Sequence, residues 1–210
     1  MTTIILTSTV NIHDNIEWVF QREPNSRIQS YLSSILRWLN ETDFYIILVE
    51  NSGYEFNELM NEKLKFKDRF EVIVFDEAKL EEARYLKNTG SKGRHEIFAI
   101  NYVFNNNQKI HLSNFIIKVT ARFYIPEFQD FLKNYDLNNY DCLVQNDRNR
   151  CEVVGSHYTN FANIFHVYIN DDHIENVWKE RTSQFNNILV CNVFQIDKTQ
   201  RGGQEMYTTI

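Results

Sequence analysis

Lys118, Thr120 and Arg122 alternate with Val119, Ala121 and Phe123 in an otherwise apolar run. At strand spacing this sets three polar side chains on one face. Buried charge is costly unless it is paired or used on a ligand. Two uses stand open here, a salt bridge to Glu50 or Asp76 and the binding of a phosphate. Lys92-Gly93 opens a helical segment, and a helix N-terminus with a lysine and a glycine that lets backbone approach closely suits a phosphate. The plainer reading of that pair is a loop followed by a solvated lysine. Apolar runs elsewhere stop at Thr7, Ser8 and Thr9, at Glu50, Asn51 and Ser52, and at Asp76 and Glu77. Hydroxyls, carboxylates and cations collected in one cleft suit a nucleotide-linked polar substrate.

Other chemistries lack their residues. The chain has no glycine-rich nucleotide loop of the Walker or GxGxxG kind and no GxSxG elbow. His13, His95, His111, His157, His166 and His173 are scattered without an HExxH pair, which argues against a zinc hydrolase and makes each a surface or core residue. Cys151 has no basic neighbour in sequence and reads as a small core residue.

The elements that must position these residues follow from periodicity. Residues 3–10 and 44–49 are short apolar strands, and 71–75 is a third that ends in Asp76-Glu77. Pro24-Asn25-Ser26 starts a helix carrying Ile28, Tyr31, Leu32, Ile35, Leu36 and Leu39 at helical spacing. Short helices are expected near 56–66 and 78–86. A stronger one follows Lys92-Gly93 with Ile97, Phe98, Ile100 and Val103. Residues 115–125 read as a fourth strand ended by Pro126. Strands near 141–145, 151–155 and 188–196 and a helix near 172–183 complete the pattern. Apolar strands alternating with helices indicate a mainly parallel sheet covered on both sides, with a mixed extension in the second half. Ligands of such sheets bind beyond the carboxyl ends of the strands, where the polar residues above fall.

The 210 residues suit one domain, and 6 glycines with 2 prolines leave no room for a flexible linker. Net charge of −6 argues against non-specific nucleic-acid binding, which needs a basic face. Cys142, Cys151 and Cys191 are odd in number and widely spaced, which fits a reduced, cytoplasmic setting better than a disulfide framework. No window approaches a membrane span and the N-terminus lacks the basic flank of a signal peptide, so a soluble protein is expected.

Element order and loops together resemble the nucleotide-binding half of GT-A-fold glycosyltransferases. More narrowly, Val49-Glu50-Asn51-Ser52-Gly53-Tyr54, Ser91-Lys92-Gly93 with Glu96, and Lys118-Val119-Thr120-Ala121-Arg122-Phe123 resemble chlorella-virus-type glycosyltransferase domains, which decorate the major capsid protein. The likeness runs over roughly residues 3–200. It implies an α/β, GT-A-like (Rossmann-like) mixed, mainly parallel sheet flanked by helices on both faces. It also implies one domain over 1–210, with about 1–125 as the nucleotide-sugar-binding half and about 126–210 on the acceptor side.

The activity implied is transfer of a hexosyl or deoxyhexosyl group from a nucleoside diphosphate sugar, a UDP-sugar by family habit, to a glycan or glycoprotein. The setting would be the host cytoplasm if the protein is viral. Thr7, Ser8 and Thr9 would lie near base and ribose. Arg27, Lys92, Gly93 and Arg122 would face the diphosphate, with Lys118 and Thr120 beside them. Glu50 and Glu96 would approach sugar hydroxyls or orient the cations, and Asp76 would border the donor.

The sequence departs from that family at the central strand. Thr120-Ala121-Arg122 stands where an Asp-x-Asp usually holds Mn2+ or Mg2+, and no Asp-x-Asp occurs in the chain. Leaving-group charge needs a metal or fixed cations. Arg122 with Lys92 could supply it, or a metal could use Asp76, Glu77 or Asp147. An inverting reaction also needs a base at the acceptor. Asp171-Asp172 before a helix with Glu175 and Arg181 resemble that element, although a helix N-cap explains them as well. The polar stretch Lys198–Gln204 reads as a loop over the donor, a frayed tail or a link to a further domain. Two other classes stay open, a non-catalytic nucleotide- or glycan-binding module and, last, a nucleotidyltransferase, since Ser8-Thr9-Val10-Asn11 lacks the basic glycine loop of that class.

Overall fold

A computed structural model describes residues 1–17, 19–170, 173–200 and 204–210. In chain order the elements are β1 (Thr2–Ser8), α1 (Pro24–Glu41), β2 (Tyr45–Glu50), α2 (Met60–Lys65), β3 (Phe70–Val74), α3 (Lys92–Asn106), β4 (Phe115–Thr120), α4 (Phe128–Lys133), β5 (Cys142–Val144), β6 (Val153–His157), α5 (Phe161–Phe165), α6 (Ile174–Ser183), β7 (Ile188–Val190), β8 (Gln195–Gln200) and β9 (Met206–Thr209). Seven strands form one sheet in the order β3-β2-β1-β4-β6-β5-β7, and β8 and β9 form a separate hairpin. Within the sheet β6 runs antiparallel to both neighbours and the other pairings are parallel. This is the mixed, mainly parallel sheet that the alternation of elements requires.

Strand alternation divides the core into two layers. Ile4, Leu6, Ile46 and Leu48 face α1 through Ile28, Tyr31, Ile35, Trp38 and Leu39, and α4 joins through Phe128, Phe131 and Leu132. Ile5, Ile47 and Val49 face Ile97, Phe98, Ile100 and Val103 of α3, with α5 and α6 alongside. Helix α1 begins where Pro24 sets the backbone and the Glu23 side chain accepts from the Ser26 N–H. Trp38 locks the layer by donating its indole N–H to the Phe123 carbonyl at 2.8 Å.

Three expectations need correction. The helix expected near 78–86 is a pair of 3-10 turns, Glu77–Lys79 and Arg84–Asn88. Leu80, Ala83 and Leu86 recur every three residues, the repeat of a 3-10 helix, and the buried Ala83 and Leu86 anchor it. The strand expected to reach residue 125 stops at Thr120, because the Phe123 N–H turns back to the Thr120 carbonyl. The strand expected over 188–196 is two, β7 and β8, in different sheets. The sequence reading also missed α4, α5 and the hairpin, all short. No described helix is long and apolar enough to cross a membrane. The three cysteines are free and buried, and burial pushes the Cys142 and Cys191 thiols up to about 12.

Candidate functional site

A cavity of about 440 Å³ opens at the carboxyl ends of the central strands. Thr7, Ser8 and Thr9 line it from β1, Thr120 and Arg122 from the end of β4, and Lys92, Gly93, His95 and Glu96 from the first turn of α3. The stretch between β1 and α1 closes one side with Ile12, His13, Ile16, Val19 and Phe20. This is the position that the topology of an open α/β sheet assigns to a ligand.

Its floor is a hydrogen-bonded knot. Glu96 Oε1 accepts from Thr7 Oγ1 at 2.6 Å and pairs with the Lys118 ammonium at 2.9 Å. Lys118 is wholly enclosed and also donates to Thr120 Oγ1 at 3.1 Å and the Cys151 carbonyl at 2.7 Å, with the Trp178 ring 5.1 Å away. The polar face of β4 is therefore used in two ways. Lys118 does not line the cavity; its partner is Glu96, neither Glu50 nor Asp76, and together they fix Thr7 and Thr120 at the floor.

Arg122 lies beyond the end of the strand and lines the cavity. Its Nε is enclosed without a hydrogen-bond partner, and among the described residues it forms no ion pair. Arg27 and Lys92 stand near it. Burial lowers the Arg27 guanidinium from its ordinary value, with repulsion from Arg122 acting in the same direction. Burial followed by repulsion from Arg122 lowers Lys92 likewise. Arg27 is already committed, donating to the carbonyls of Thr9 and Gln21 and to the Tyr31 hydroxyl at 2.6, 2.9 and 2.5 Å. Arg122 is thus the cation whose donors remain for a ligand anion, in a field reinforced by two more positive charges.

Glu50 takes no part in the cavity lining. It is completely buried, and its two oxygens accept from the N–H groups of Val10, Ser52 and Tyr54 at 2.8, 2.9 and 2.8 Å and from Ser52 Oγ at 2.5 Å. These bonds clasp the turn around Gly53, whose φ of 82° favours glycine. Burial pushes the Glu50 carboxyl up, against those four donors. The placement is that of a staple between the loops after β1 and β2, not of a group that touches a substrate.

Asp76 is also outside the lining. Its side chain accepts from the Ala78 N–H at 3.1 Å and pairs with Lys79 at 2.8 Å, and Lys79 holds it below the usual carboxylate range. Asp147 turns its own loop by accepting from the Asn149 N–H at 3.0 Å and lies 3.7 Å from Arg150. Glu77 does line the cavity, but Asn51 Nδ2 and His95 Nδ1 hold its carboxylate at 2.8 and 2.5 Å. The three candidate metal ligands are thus dispersed, and among the described residues no three His, Cys, Asp or Glu side chains gather as a metal site. These residues do not fit a Mn2+ or Mg2+ centre. Asp171 and Asp172 lie outside the described residues, as do 201–203 of the polar stretch Lys198–Gln204. Lys198–Gln200 belong to β8, and Tyr207 of β9 lines the cavity.

Gly93 lines the cavity, yet its absent side chain serves packing. A Cβ there would fall 2.5 Å from Cβ of Ile174, so the glycine lets the start of α6 rest on α3. Sequence reasoning missed the apolar wall of Ile12, Ile16, Val19 and Phe20, which sits in the stretch between β1 and α1. It also missed the Glu77–His95 pair, whose members sit on different elements.

No family model and no curated protein matches the chain. Among solved structures, an S. aureus TarS fragment shares its fold at a TM-score of 0.51 and 12% identity, over 90% of this chain and 57% of that one. The chain therefore spans a little over half the length of that fragment, which has also been solved in complex with UDP and then matches at 0.51 with 14% identity. An active-site mutant of LgtC matches at 0.53 with 7% identity, over 90% of this chain and 72% of LgtC. The bifunctional glycosyltransferase WbbM matches at 0.54 with 10% identity, over 90% and 38%. The fold is that of GT-A glycosyltransferases, as expected from the order of elements.

Proposed function

We propose that the cavity binds a nucleoside diphosphate sugar, a UDP-sugar, and that the protein transfers its sugar to a glycan hydroxyl. The observation that carries this reading is Arg122, a cation at the end of the central strand that forms no ion pair among the described residues and faces a cavity shared with Lys92 and Arg27. A diphosphate answers that charge with bidentate acceptors. The uridine part of the reading draws on TarS, whose structure holds UDP on the same fold. The acceptor, a glycan on a capsid glycoprotein, draws on the resemblance of the three sequence motifs alone.

In the reaction the bond from the anomeric carbon to the diphosphate oxygen breaks as the acceptor oxygen bonds to that carbon. Negative charge builds on the departing diphosphate. Arg122 and Lys92 meet it with fixed positive charge, which stabilises the transition state more than the ground state. Thr7 and Thr120, oriented by Glu96, line the same floor. The base that takes the acceptor proton is assigned to Asp172 from its place in sequence just ahead of α6, whose Glu175 lines the cavity. Residues 1–125 then serve the donor and 126–210 the acceptor.

A thermal-shift panel of nucleoside diphosphates and their sugars, each with Mn2+ and with chelator, tests the reading. A ligand at 100 times its dissociation constant stabilises the fold by about 2.7 kcal/mol. A shift with UDP or a UDP-sugar supports the donor site, and sugar release in the presence of a glycan separates a transferase from a binding module. No shift with any nucleotide overturns both.

A further inference from the structure

We infer that His95, held by Glu77, reads the nucleobase of the donor and selects one that offers an in-plane ring N–H, the imide edge of uracil. The inference rests on the donor reading above and adds to it the group that decides which base is accepted.

His95 is 7% exposed, lines the cavity, and its Nε2 has no hydrogen-bond partner among the described residues. Its other ring nitrogen is 2.5 Å from Glu77 Oε1. A carboxylate only accepts, so Nδ1 carries the proton, and in the tautomer that this selects Nε2 presents a lone pair. Glu77 is fixed in turn: Asn51 Nδ2 donates to its Oε2 at 2.8 Å, and Thr9 Oγ1 donates to Asn51 Oδ1 at 2.6 Å. Thr9, Asn51, Glu77 and His95 therefore form a chain with every donor assigned. A further ionisable group against it is His13, whose Nε2 is 3.9 Å from Glu77 Oε1. A buried polar atom at the end of such a chain needs a partner.

The surroundings say what kind. Arg122 lies at the end of β4, and Glu77 follows β3, three strands away in the sheet. A ligand that meets both Arg122 and His95, which Glu77 holds, runs across the strand ends with its anionic part at β4. Toward β3 the Glu17 N–H bonds to the Gly90 carbonyl and Asn15 to that of Thr89, which ties down the stretch that lines the cavity with Ile12, His13 and Ile16. Apolar side chains such as Ile12 and Ile16 beside a buried in-plane acceptor suit the faces and edge of a heterocyclic base better than a polyhydroxyl ring. Uracil offers a ring N–H there, whereas cytosine offers a lone pair that would face the lone pair of Nε2.

Calorimetric titration of UDP and CDP into the wild type and two variants tests this. The wild type is expected to bind UDP at least about tenfold more tightly than CDP, the scale of one mismatched buried hydrogen bond. His95→Phe removes the acceptor and should bring the UDP-to-CDP ratio close to one while Arg122-dependent binding persists. In Glu77→Gln the amide oxygen stays on Asn51, its NH2 faces Nδ1, and the ring proton moves to Nε2; the preference should shift toward CDP. A folded His95→Phe protein that keeps the wild-type ratio, or a wild type that prefers CDP, overturns the inference and leaves the donor reading in place. A wild type that binds neither nucleotide overturns the donor reading and the inference with it.

Discussion

The Lys118 ammonium and the Glu96 carboxylate lie 2.9 Å apart beneath the cavity, with Lys118 completely enclosed. The pair joins the middle of β4 to the first turns of α3, the two elements that present Thr120, Arg122 and Lys92. Burying a lone ammonium costs far more than the pair contributes. Glu96→Gln or Glu96→Ala should therefore cost about 3–5 kcal/mol in urea unfolding. Lys118→Met should cost less than either, since Glu96 keeps Thr7 and some solvent contact. Equal melting temperatures for the wild type and Glu96→Ala would contradict a coupled pair.

Gly93→Ala should destabilise the fold by roughly 1–3 kcal/mol, because the new methyl group meets Cβ of Ile174 at 2.5 Å. Trimming Ile174 to Ala keeps its Cβ and should not restore the loss. If Ala is accepted at 93 without a change in melting, α6 does not rest on α3 as described.

Glu50→Gln should lower stability by about 1–3 kcal/mol, since one carboxylate oxygen with two donors is replaced by an NH2 group. The pH dependence has a definite sign. Burial raises the folded carboxyl above its unfolded value, so the folded chain binds the proton more readily and this contribution to stability falls as pH rises through that window. The cost of Glu50→Gln should then be larger near pH 4.5 than near pH 7. The reverse trend in urea midpoints would contradict the burial argument. Nucleotide affinity, corrected for folding, should be unchanged.

Nucleotide binding should survive chelation. The acids that sequence put forward for a metal are tied to Lys79, to His95 and Asn51, and to a surface turn. UDP titrated in EDTA should bind within about threefold of its affinity in Mn2+, less than the effect of one charge-assisted hydrogen bond. Binding that requires Mn2+ would show that acids other than Asp76, Glu77 and Asp147 carry a metal.

The sheet and the helices α1 and α3 that cover its two faces are legible in the sequence because each rests on local pattern. Ile46 to Val49 are apolar on both faces, and Ile28, Ile35 and Leu39 recur at helical spacing. The roles of single polar residues are less legible. Glu50 and Glu96 read alike as carboxylates near a strand or helix end, yet one meets backbone N–H groups and the other a buried ammonium from a strand 22 residues further on. Pairings of this kind depend on register between distant elements. Gly93 reads as an opening for phosphate because nothing in its neighbourhood announces Ile174. His95 reads as a bland surface or core histidine for the same reason, since Glu77 approaches it only after β3 and α3 have docked.

The central claim is that Arg122 grips a nucleoside diphosphate in the cavity, and calorimetric titration of UDP into the wild type and Arg122→Ala tests it most directly. The account expects binding by the wild type. It expects a loss of roughly ten- to hundredfold in a variant that melts at or above the wild-type temperature, because a charged group with no ion pair among the described residues has been removed. Equal affinity in the two proteins, or no binding of UDP by the wild type, would contradict it.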